Sequence, residues 1–423
     1  MPLSRMSHNR IKMTDHTTNI ITLPSELLIV IFEYCSAFDL IRLTQVCKRF
    51  HMIIERNLLW SKKSYLPLAT NQRSKRFLER CNQILCDRSK WRVSYNWQYG
   101  RYIKKLLFPQ RRKVIPKICM KSHELWWCGN NLLCGFKRTK PFDTVNNVIY
   151  KTVNNIHDFS TFVLMKDFII TGDSNGDLKY WLYDGGGQLV HTTHAHSDDI
   201  NAMDATSEVI LASSLSKIVK VFPAPVKDDR LKFYEYSLSS LSIIDRIWSI
   251  KADIEGKKFA IGTSGNETLP LQIYDIEECT CLMLLSHNWR PGAGILDMVW
   301  EDPHTILSCG YDTYIRKWDL RCGRCVKSWA DPTDATLYCI SSDHNYTMIS
   351  GTQFNCMAVL WDQRQREYMQ LYFMKCPGNH DKSPIYSLDF DSTNLYCATD
   401  RYLVELDFYG KTKRSFNYNG LIK

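Results

Sequence analysis

The alternation of apolar and polar residues is clearest between Leu307 and Leu320, which read LSCGYDTYIRKWDL. Residues 306–308, Ile-Leu-Ser, form a short β-type run, and a turn that carries Asp312 follows them. The next run alternates with a period of two and ends in Trp318. Two apolar runs joined by a tight polar turn predict neighbouring antiparallel strands, because successive side chains of a strand point to opposite faces.

The same pattern recurs along the chain with gradual decay. The aromatic residue at the end of the second run recurs at Trp181, Phe222, Tyr274, Trp318 and Trp361, at intervals of 41, 52, 44 and 43 residues. Two weaker copies flank this set, at Cys134-Gly135-Phe136 and at Glu405-Leu406-Asp407. Repeats of roughly 40 to 45 residues are typical of propeller blades. The sequence therefore predicts an all-β seven-bladed propeller over residues 98–410, with residues 306–308 and 315–318 as the inner pair of one blade.

One apolar run lies just before the first repeat, and its members are Ile103, Leu106, Leu107 and Phe108. We interpret it as the outer strand of the last blade. Pairing between the first and the last strand would close the ring and remove the exposed sheet edges.

The pattern of the first hundred residues is helical. Residues 1–20 are polar and unpatterned, which predicts a disordered tail, and residues 411–423 form a second tail. From residue 21 to 62, Pro24 stands at a helix start, and apolar residues then recur at helical spacing through three short helices. Residues 63–97 combine spaced apolar positions with many basic ones, which predicts a helical spacer.

The three short helices carry more apolar surface than they can bury among themselves. A partner protein that covers this surface is the expected solution. The alternative is a helical extension that folds back onto the propeller.

Motifs in both halves resemble a known family. Residues 23–34 follow the pattern LPxELLxxIFxY, and VCKRF and LLW come after it, which resembles an F-box. In the second half, Asp312, Ser308 and Trp318 resemble the hydrogen-bonded brace of a WD repeat, although the insertion NWRPGAG displaces His287, so that no histidine is assigned to this brace. The chain is thus similar to the F-box/WD-repeat proteins.

This resemblance implies a substrate receptor of an SCF-type (Skp-cullin-F-box) ubiquitin ligase, in which the F-box binds the Skp-type adaptor, and through it a cullin, while the propeller captures a protein substrate. The residues expected to form the adaptor surface and its supporting core are Leu23, Pro24, Leu27, Leu28, Ile31, Phe32, Leu40, Val46, Cys47, Phe50 and Trp60. A receptor of this kind is not an enzyme, and it acts by raising the effective concentration of a substrate near the conjugating enzyme.

Substrate is expected on the propeller face where the blades contribute their turns and entry loops to one rim. The rim residues predicted from the repeat register are Lys217, Arg246, Trp248, Arg290, Tyr311, Tyr338 and Arg401. Planar arginines beside aromatic rings suit an acidic or phosphorylated segment of the substrate. Two alternatives remain open, a propeller scaffold without a ligase role and an RNA-binding propeller that stacks bases on Trp248 and Tyr311 beside Arg290.

The composition narrows these predictions. No run of about 18 apolar residues predicts a membrane span, and the first residues lack the apolar core of a secretory signal. Sixteen cysteines without a compact framework predict reduced thiols in the cytoplasm, with the nucleus as the alternative. Cys322 and Cys325 have the spacing of half a zinc site, but no matching half follows, so that neither a metal nor a cofactor is expected. The net charge of +10 agrees with an acidic partner, and nucleic acid is not the expected one.

Overall fold

The structure is a computed structural model, and it describes residues 19–56, 59–63, 68–109, 115–138, 149–183, 187–227, 231–374 and 383–410. Of the two predicted tails, residues 1–18 and 411–423 lie outside the described residues. The chain divides into two compact units, and the boundary between them falls after residue 66.

The first unit is helical. A 3-10 turn at Ile20–Thr22 precedes four helices, which are α1 (Ser25–Tyr34), α2 (Ala37–Leu43), α3 (Lys48–Arg56) and α4 (Leu59–Lys63). Helix α2 begins at Ser36, whose hydroxyl accepts a hydrogen bond from the Asp39 amide at 3.2 Å, as an N-cap does. Phe32 and Phe50 meet edge to face at 5.1 Å between ring centroids in the core of this unit.

The second unit is a seven-bladed propeller, which confirms the fold class predicted from the sequence. Its first strand, β1 (Ile103–Pro109), belongs to the last blade. Blade 1 consists of β2 (Lys117–Met120), β3 (Glu124–Gly129), β4 (Leu132–Lys137) and β5 (Ile149–Asn154). Blade 2 consists of β6 (Phe159–Leu164), β7 (Phe168–Asp173), β8 (Asp177–Leu182) and β9 (Leu189–His194). Blade 3 consists of β10 (Ile200–Ala205), β11 (Val209–Ser214), β12 (Ile218–Pro223) and β15 (Ser239–Ser242), with a hairpin of β13 (Val226–Lys227) and β14 (Leu231–Lys232) inserted before β15.

The remaining blades follow the same plan. Blade 4 consists of β16 (Ile247–Ala252), β17 (Lys258–Thr263), β18 (Leu271–Asp275) and β19 (Cys281–Leu284), and blade 5 of β20 (Ile295–Asp302), β21 (Thr305–Gly310), β22 (Tyr314–Asp319) and β23 (Arg324–Ala330). Blade 6 consists of β24 (Leu337–Ser342), β25 (Thr347–Thr352), β26 (Met357–Asp362) and β27 (Tyr368–Phe373). Blade 7 consists of β28 (Ser387–Phe390), β29 (Asn394–Ala398) and β30 (Tyr402–Asp407), together with β1. The inserted hairpin of blade 3 accounts for most of the long interval after Phe222.

Strand order within a blade corrects one prediction. The strands on either side of Asp312, predicted as the inner pair, are the second and third of their blade, because β20 lies inside them. An alternating pattern shows that two strands are neighbours, but it does not show how far they lie from the axis. The terminal aromatics nevertheless all fall in the third strand of a blade, as their common spacing requires.

Ring closure follows the prediction for the apolar run before the first repeat. Strand β1 pairs antiparallel with β30, from Ile103 opposite Asp407 to Pro109 opposite Tyr402. Side chains of the innermost strands also bond to the next blade. Asp204 accepts from the Ala252 amide at 2.8 Å, and Asp297 accepts from the Ile340 amide at 3.0 Å.

Hydrogen-bonded tryptophans support three blades. The indoles of Trp181, Trp318 and Trp361 donate to hydroxyls of Thr171, Ser308 and Ser350 at 2.9–3.0 Å. His287, which the sequence leaves out of the brace, in fact lies edge to face with Trp318 at 6.0 Å and accepts from Arg316 at 2.9 Å. The inserted residues therefore do not separate this histidine from Trp318.

The predicted spacer, residues 63–97, takes a different position. Its described part from residue 68 onwards belongs to the propeller unit and contains two helices, α5 (Lys75–Leu78) and α6 (Asp87–Gln98). The ring of Trp97 stacks on Phe408 at 3.6 Å, and its indole donates to the Ser392 carbonyl at 2.9 Å. The helical pattern correctly predicts that these helices bury one face. Blades 6 and 7 cover that face, so this segment is packed on the propeller and is not a free-standing spacer.

Candidate functional site

Two sets of loops share one face of the propeller, which we call the rim. In antiparallel blades the turns between second and third strands lie at the same end as the connections that enter the next blade. All seven rim residues predicted from the sequence lie there. Lys217, Tyr311 and Arg401 stand in the turns, Arg246 and Arg290 in the entering connections, and Trp248 and Tyr338 near the start of innermost strands.

Backbone bulges shape the inner edge of the rim. In blades 2 to 6, the pairing of the innermost strand skips its second residue. The skipped residues are Ser160, Asn201, Trp248, Leu296 and Tyr338. A bulge bends the strand and redirects the side chain that it carries. Five bulges at equivalent positions therefore give the opening of the ring a polar side at blades 2 and 3 and an apolar side at blades 4 to 6.

The apolar side carries four aromatic residues, which we call the aromatic arc. Trp248 meets Tyr311 edge to face at 6.4 Å, and Tyr338 meets Tyr386 edge to face at 5.4 Å. Burial raises the pKa of Tyr338, and Tyr311 adds to that shift, which places these two rings in one environment. Sequence reasoning missed Tyr386. Its place just before the innermost strand of blade 7, like that of Tyr338 in blade 6, was the available signal.

The guanidinium of Arg246 lies 4.2 Å from the ring centroid of Trp248, a cation–π contact. Its sequence neighbour Asp245 binds elsewhere, accepting hydrogen bonds from the backbone and hydroxyl of Thr268 at 2.7 and 2.8 Å. The indole nitrogen of Trp248 is buried, and it meets no hydrogen-bond acceptor among the residues that the structure describes. Trp248 is thus part of the opening and not of a blade core.

The remaining predicted cations do not converge with Arg246. The ammonium of Lys217 donates to the Ile244 carbonyl at 2.6 Å, and Arg401 lies 3.8 Å from Asp400. Arg290 is exposed and forms no ion pair with a described residue. The structure therefore brings Arg246, Trp248 and Tyr311 together, adds Tyr338 beside Tyr386, and leaves the other three at separate points of the rim.

Carboxylates outnumber cations on the rim. Its described loops carry four basic side chains, all of them predicted from the sequence, against nine acidic ones. The acidic residues are Asp158, Asp198, Asp199, Asp245, Glu267, Asp312, Asp331, Asp334 and Asp400. Burial raises the pKa of Asp199, the carboxylates of Asp173 and Asp158 act in the same direction, and Arg246 opposes them. Among the described rim loops, the charge is thus opposite in sign to the net charge of the chain.

A central cavity of about 470 Å³ lies below the rim and is lined by the innermost strands of all seven blades. Trp248 and Asn201 lie on its wall towards the rim, with Asp297 and Lys251 further in. Lys251 has a raised pKa, because the carboxylates of Asp204 and Asp297 outweigh its burial. The lining includes acidic and basic groups in equal number, so the interior adds little net charge.

Helix α5 reaches the opposite end of this cavity. Arg80 donates to Asp389 at 2.6 Å and to the Ser341 hydroxyl at 2.8 Å, and Arg76 donates to the Trp300 carbonyl at 2.7 Å. These bonds hold two guanidiniums across the end of the cavity. A ligand can therefore approach the cavity from the rim, whereas α5 obstructs the other end.

In the helical unit, the predicted adaptor residues divide by exposure. Leu28, Phe32, Leu40, Phe50 and Trp60 are buried and form its core. Pro24, Leu27, Ile31 and Val46 are exposed, and Leu23 and Cys47 are half-buried.

Sequence reasoning missed further exposed apolar residues of this unit, namely Val30, Tyr34, Phe38 and Met52. Tyr34 is 88% exposed, the largest value among them. Together with Leu27 and Ile31, Tyr34 follows the three- and four-residue spacing of one helix face. Helix α1 thus presents a continuous apolar face that the described residues of its own unit leave exposed.

Comparison with known proteins agrees with this architecture. The sequence model of the F-box-like family matches residues 20–65, which is the helical unit. F-box/WD repeat-containing protein 4 of Mus musculus, also called dactylin, is 29% identical over 398 residues, and the match covers 91% of this chain and 92% of that protein. The chain is thus similar to F-box/WD-repeat proteins over nearly its whole length. The Homo sapiens protein of the same name matches with the same identity and coverage.

This similarity confirms the resemblance drawn from the sequence motifs. It also gives names to both units, since the helical unit is an F-box-like domain and the seven blades are WD-repeat-like. No helix in the described part of the chain is long and apolar enough to cross a membrane.

Proposed function

We propose that this F-box/WD-repeat protein is the substrate-recognition subunit of an SCF-type ubiquitin ligase. The observation that carries the proposal is the joining, in one chain, of an F-box-like unit with an uncovered apolar helix face and a propeller with an open rim. The F-box-like unit would bind a Skp-type adaptor and through it a cullin. The rim would bind a protein substrate.

The protein itself does not catalyse the transfer of ubiquitin under this proposal. Its contribution is proximity, because a bound substrate lysine reaches a high effective concentration near the charged conjugating enzyme. The cytoplasm or the nucleus is the compartment in which this activity is proposed.

Adaptor binding is tested by separating surface from core in helix α1. Replacing Leu27 and Ile31 by Ala removes two exposed apolar side chains, so that co-purification of the Skp-type adaptor should be lost while the melting temperature stays unchanged. Leu28→Ala is the matched control, since Leu28 is fully buried and its loss should destabilise the unit by about 2–5 kcal/mol. Stoichiometric adaptor on the folded double variant would contradict the proposal.

The charge of the substrate is a separate question. The sequence predicts an acidic or phosphorylated segment, and the exposed guanidiniums of Arg246 and Arg290 support that prediction. The nine carboxylates of the rim oppose it. Changing both arginines to Glu should abolish capture of such a substrate and leave adaptor binding intact.

Two other functions have weaker support. RNA binding would place bases on the aromatic arc, but the acidic rim loops repel a phosphate backbone. A scaffold without a ligase role would not explain why α1 carries an exposed apolar face.

A further inference from the structure

We infer that the aromatic arc is a binding site for one basic side chain, arginine or lysine, presented by a partner protein. The arc consists of Trp248, Tyr311, Tyr338 and Tyr386, which lie on blades 4 to 7 around one half of the opening. The inference rests on the proposed function, because it names the chemistry of the substrate that the rim would capture.

The first argument is the ring geometry. In each of the two edge-to-face pairs, one ring turns only its edge to the other, which leaves ring faces that are not used within the pair. An aromatic face attracts a cation through its quadrupole. Arg246 already demonstrates this preference, since its guanidinium lies over Trp248 at 4.2 Å. A second cation on the tyrosine side of the arc would use the same physical attraction.

The second argument is the distribution of carboxylates around the arc. Asp400 lies close enough to Tyr386 to raise the pKa of that phenol further, after the larger effect of burial. One carboxylate oxygen of Asp400 is buried and accepts no hydrogen bond from the part of the chain that the structure describes. Asp297 lies on the cavity wall just inside Leu296, between the blades that carry Trp248 and Tyr338. Asp297 already has Lys251 nearby, so Asp400 is the carboxylate that a cationic donor at the arc would meet.

The third argument is the electrostatic field of the rim. The described loops carry more than twice as many acidic as basic groups, and close to those loops this excess favours a positively charged segment over a negatively charged one. Lys117, the charged residue of the first blade that lines the cavity, stands three blades away from Asp297. It therefore opposes a cation at the arc only weakly.

The fourth argument is access. Since α5 holds Arg76 and Arg80 across the far end, a chain cannot pass through the ring. A single long side chain inserted from the rim satisfies this constraint. Arginine and lysine have that length, and their apolar stems would pack on the aromatic rings while the charged end reaches the Asp400 carboxylate.

The experiment titrates the full-length chain with four small probes, N-acetyl-arginine amide, N-acetyl-lysine amide, N-acetyl-glutamate amide and N-acetyl-phenylalanine amide. The readout is the indole NMR signal of Trp248, identified by its disappearance in Trp248→Phe. The arginine and lysine probes should shift this signal in a saturable way, and the glutamate and phenylalanine probes should not. Equal shifts by glutamate or phenylalanine would overturn the inference.

Variants assign the contacts. Tyr338→Leu should weaken the arginine probe about tenfold, whereas Tyr338→Phe should bind it normally, because phenylalanine keeps the ring face. Asp400→Asn should weaken it as well, and Asp334→Asn is the matched control, since Asp334 lies on the rim outside the arc and is bonded by the Thr313 hydroxyl at 2.7 Å. Unchanged binding by both Tyr338→Leu and Asp400→Asn would overturn the inference.

Charge reversal separates this inference from the acidic-substrate prediction. Arg246→Glu with Arg290→Glu should retain or strengthen the arginine probe, while an acidic ligand would lose binding. Adaptor co-purification is measured on the same samples. A chain that binds the probe but no adaptor contradicts the proposed function alone, and an adaptor-bound chain that ignores the basic probes contradicts the inference alone.

Discussion

Arginine residues near the two ends of the central cavity differ in burial and in ion pairing. At the end covered by α5, Arg138 is buried, pairs with Asp391 at 2.5 Å and donates to the Arg80 carbonyl at 2.6 Å. At the rim, Arg246 and Arg290 are exposed and pair with no carboxylate among the described residues. Buried cations remain in a folded protein only when the chain supplies their partners, whereas an unpaired exposed cation leaves its bonding capacity to solvent or to a ligand.

This difference distinguishes structural from functional charge. The basic residues near the start of the propeller raise the net charge of the chain. Several of their side chains, however, are already engaged in hydrogen bonds within the propeller unit. In the described rim loops, by contrast, carboxylates outnumber cations nine to four. Net charge alone therefore does not give the sign of the charge in those loops.

The largest expected effect comes from removing the segment that closes the ring. Deletion of residues 98–110 removes β1 and leaves the edge of β30 unpaired. We expect loss of cooperative folding and aggregation, because an open sheet edge pairs with other chains. Differential scanning calorimetry with light scattering measures both. If the truncated protein stayed soluble and melted in one sharp transition, folding of the propeller would not depend on ring closure.

The next effect is that of a single buried arginine. Arg138→Met should lower the free energy of unfolding by about 3–5 kcal/mol, because it leaves the Asp391 carboxylate buried without its ion partner. Urea denaturation measures the change. Arg401→Met at the rim is the matched control, and it should cost less than about 1 kcal/mol, since that pair is partly exposed. Similar losses for both variants would remove the distinction between the two ends.

A pH effect should follow from His344, which lies near the closed end. Burial, and then the charges of Arg76 and Arg80, lower its pKa to about 3. The unfolded chain binds a proton on this residue below about pH 6.5 and the folded chain does not, so stability falls as the pH drops from about 6.5 towards 3.

His344→Gln should reduce the loss of stability between pH 7 and pH 5 by at most about 2 kcal/mol. Urea denaturation at both pH values gives the difference. An identical pH dependence in the variant would mean that the imidazole accepts its proton in the folded state as well.

The smallest effect on stability is expected at the rim. Changing Arg246 and Arg290 to Glu should alter the free energy of unfolding by no more than about 0.5 kcal/mol, because both guanidiniums are exposed and neither forms an ion pair with a described residue. The melting temperature checks this value on the same samples used for substrate capture. A large drop in the melting temperature would mean that the cation–π contact between Arg246 and Trp248 stabilises the fold.

Much of the fold was readable from the sequence because its signals are local. The third-strand aromatics repeat at the size of one blade, since every blade must bury the same strand against its neighbours. The apolar run that begins at Ile103 indicated ring closure for a similar reason, because an edge strand must find a partner. Core and surface in helix α1 could not be separated, since Leu27 and Leu28 are identical residues whose difference is their position around the helix.

The candidate site was predicted only in part. The repeat register alone placed Arg246, Trp248 and Tyr311 on the rim, because loops at equivalent positions of a repeat lie at the same end. Tyr386 was missed, since the order of blades around the ring decides which aromatics become neighbours. Contacts between residues 50 or more positions apart leave no local pattern from which they could be predicted.

The sequence by itself determined the number of blades, the F-box-like unit and the location of the rim, because periodicity and short motifs are properties of neighbouring residues. Only the tertiary structure decided that α5 and α6 belong to the propeller, that Arg80 and Arg138 are bonded internally and that carboxylates outnumber cations in the described rim loops. The physical reason is that burial and charge pairing depend on partners brought together by folding. Arg80 and Asp389, separated by 309 residues, bond only after the ring has closed.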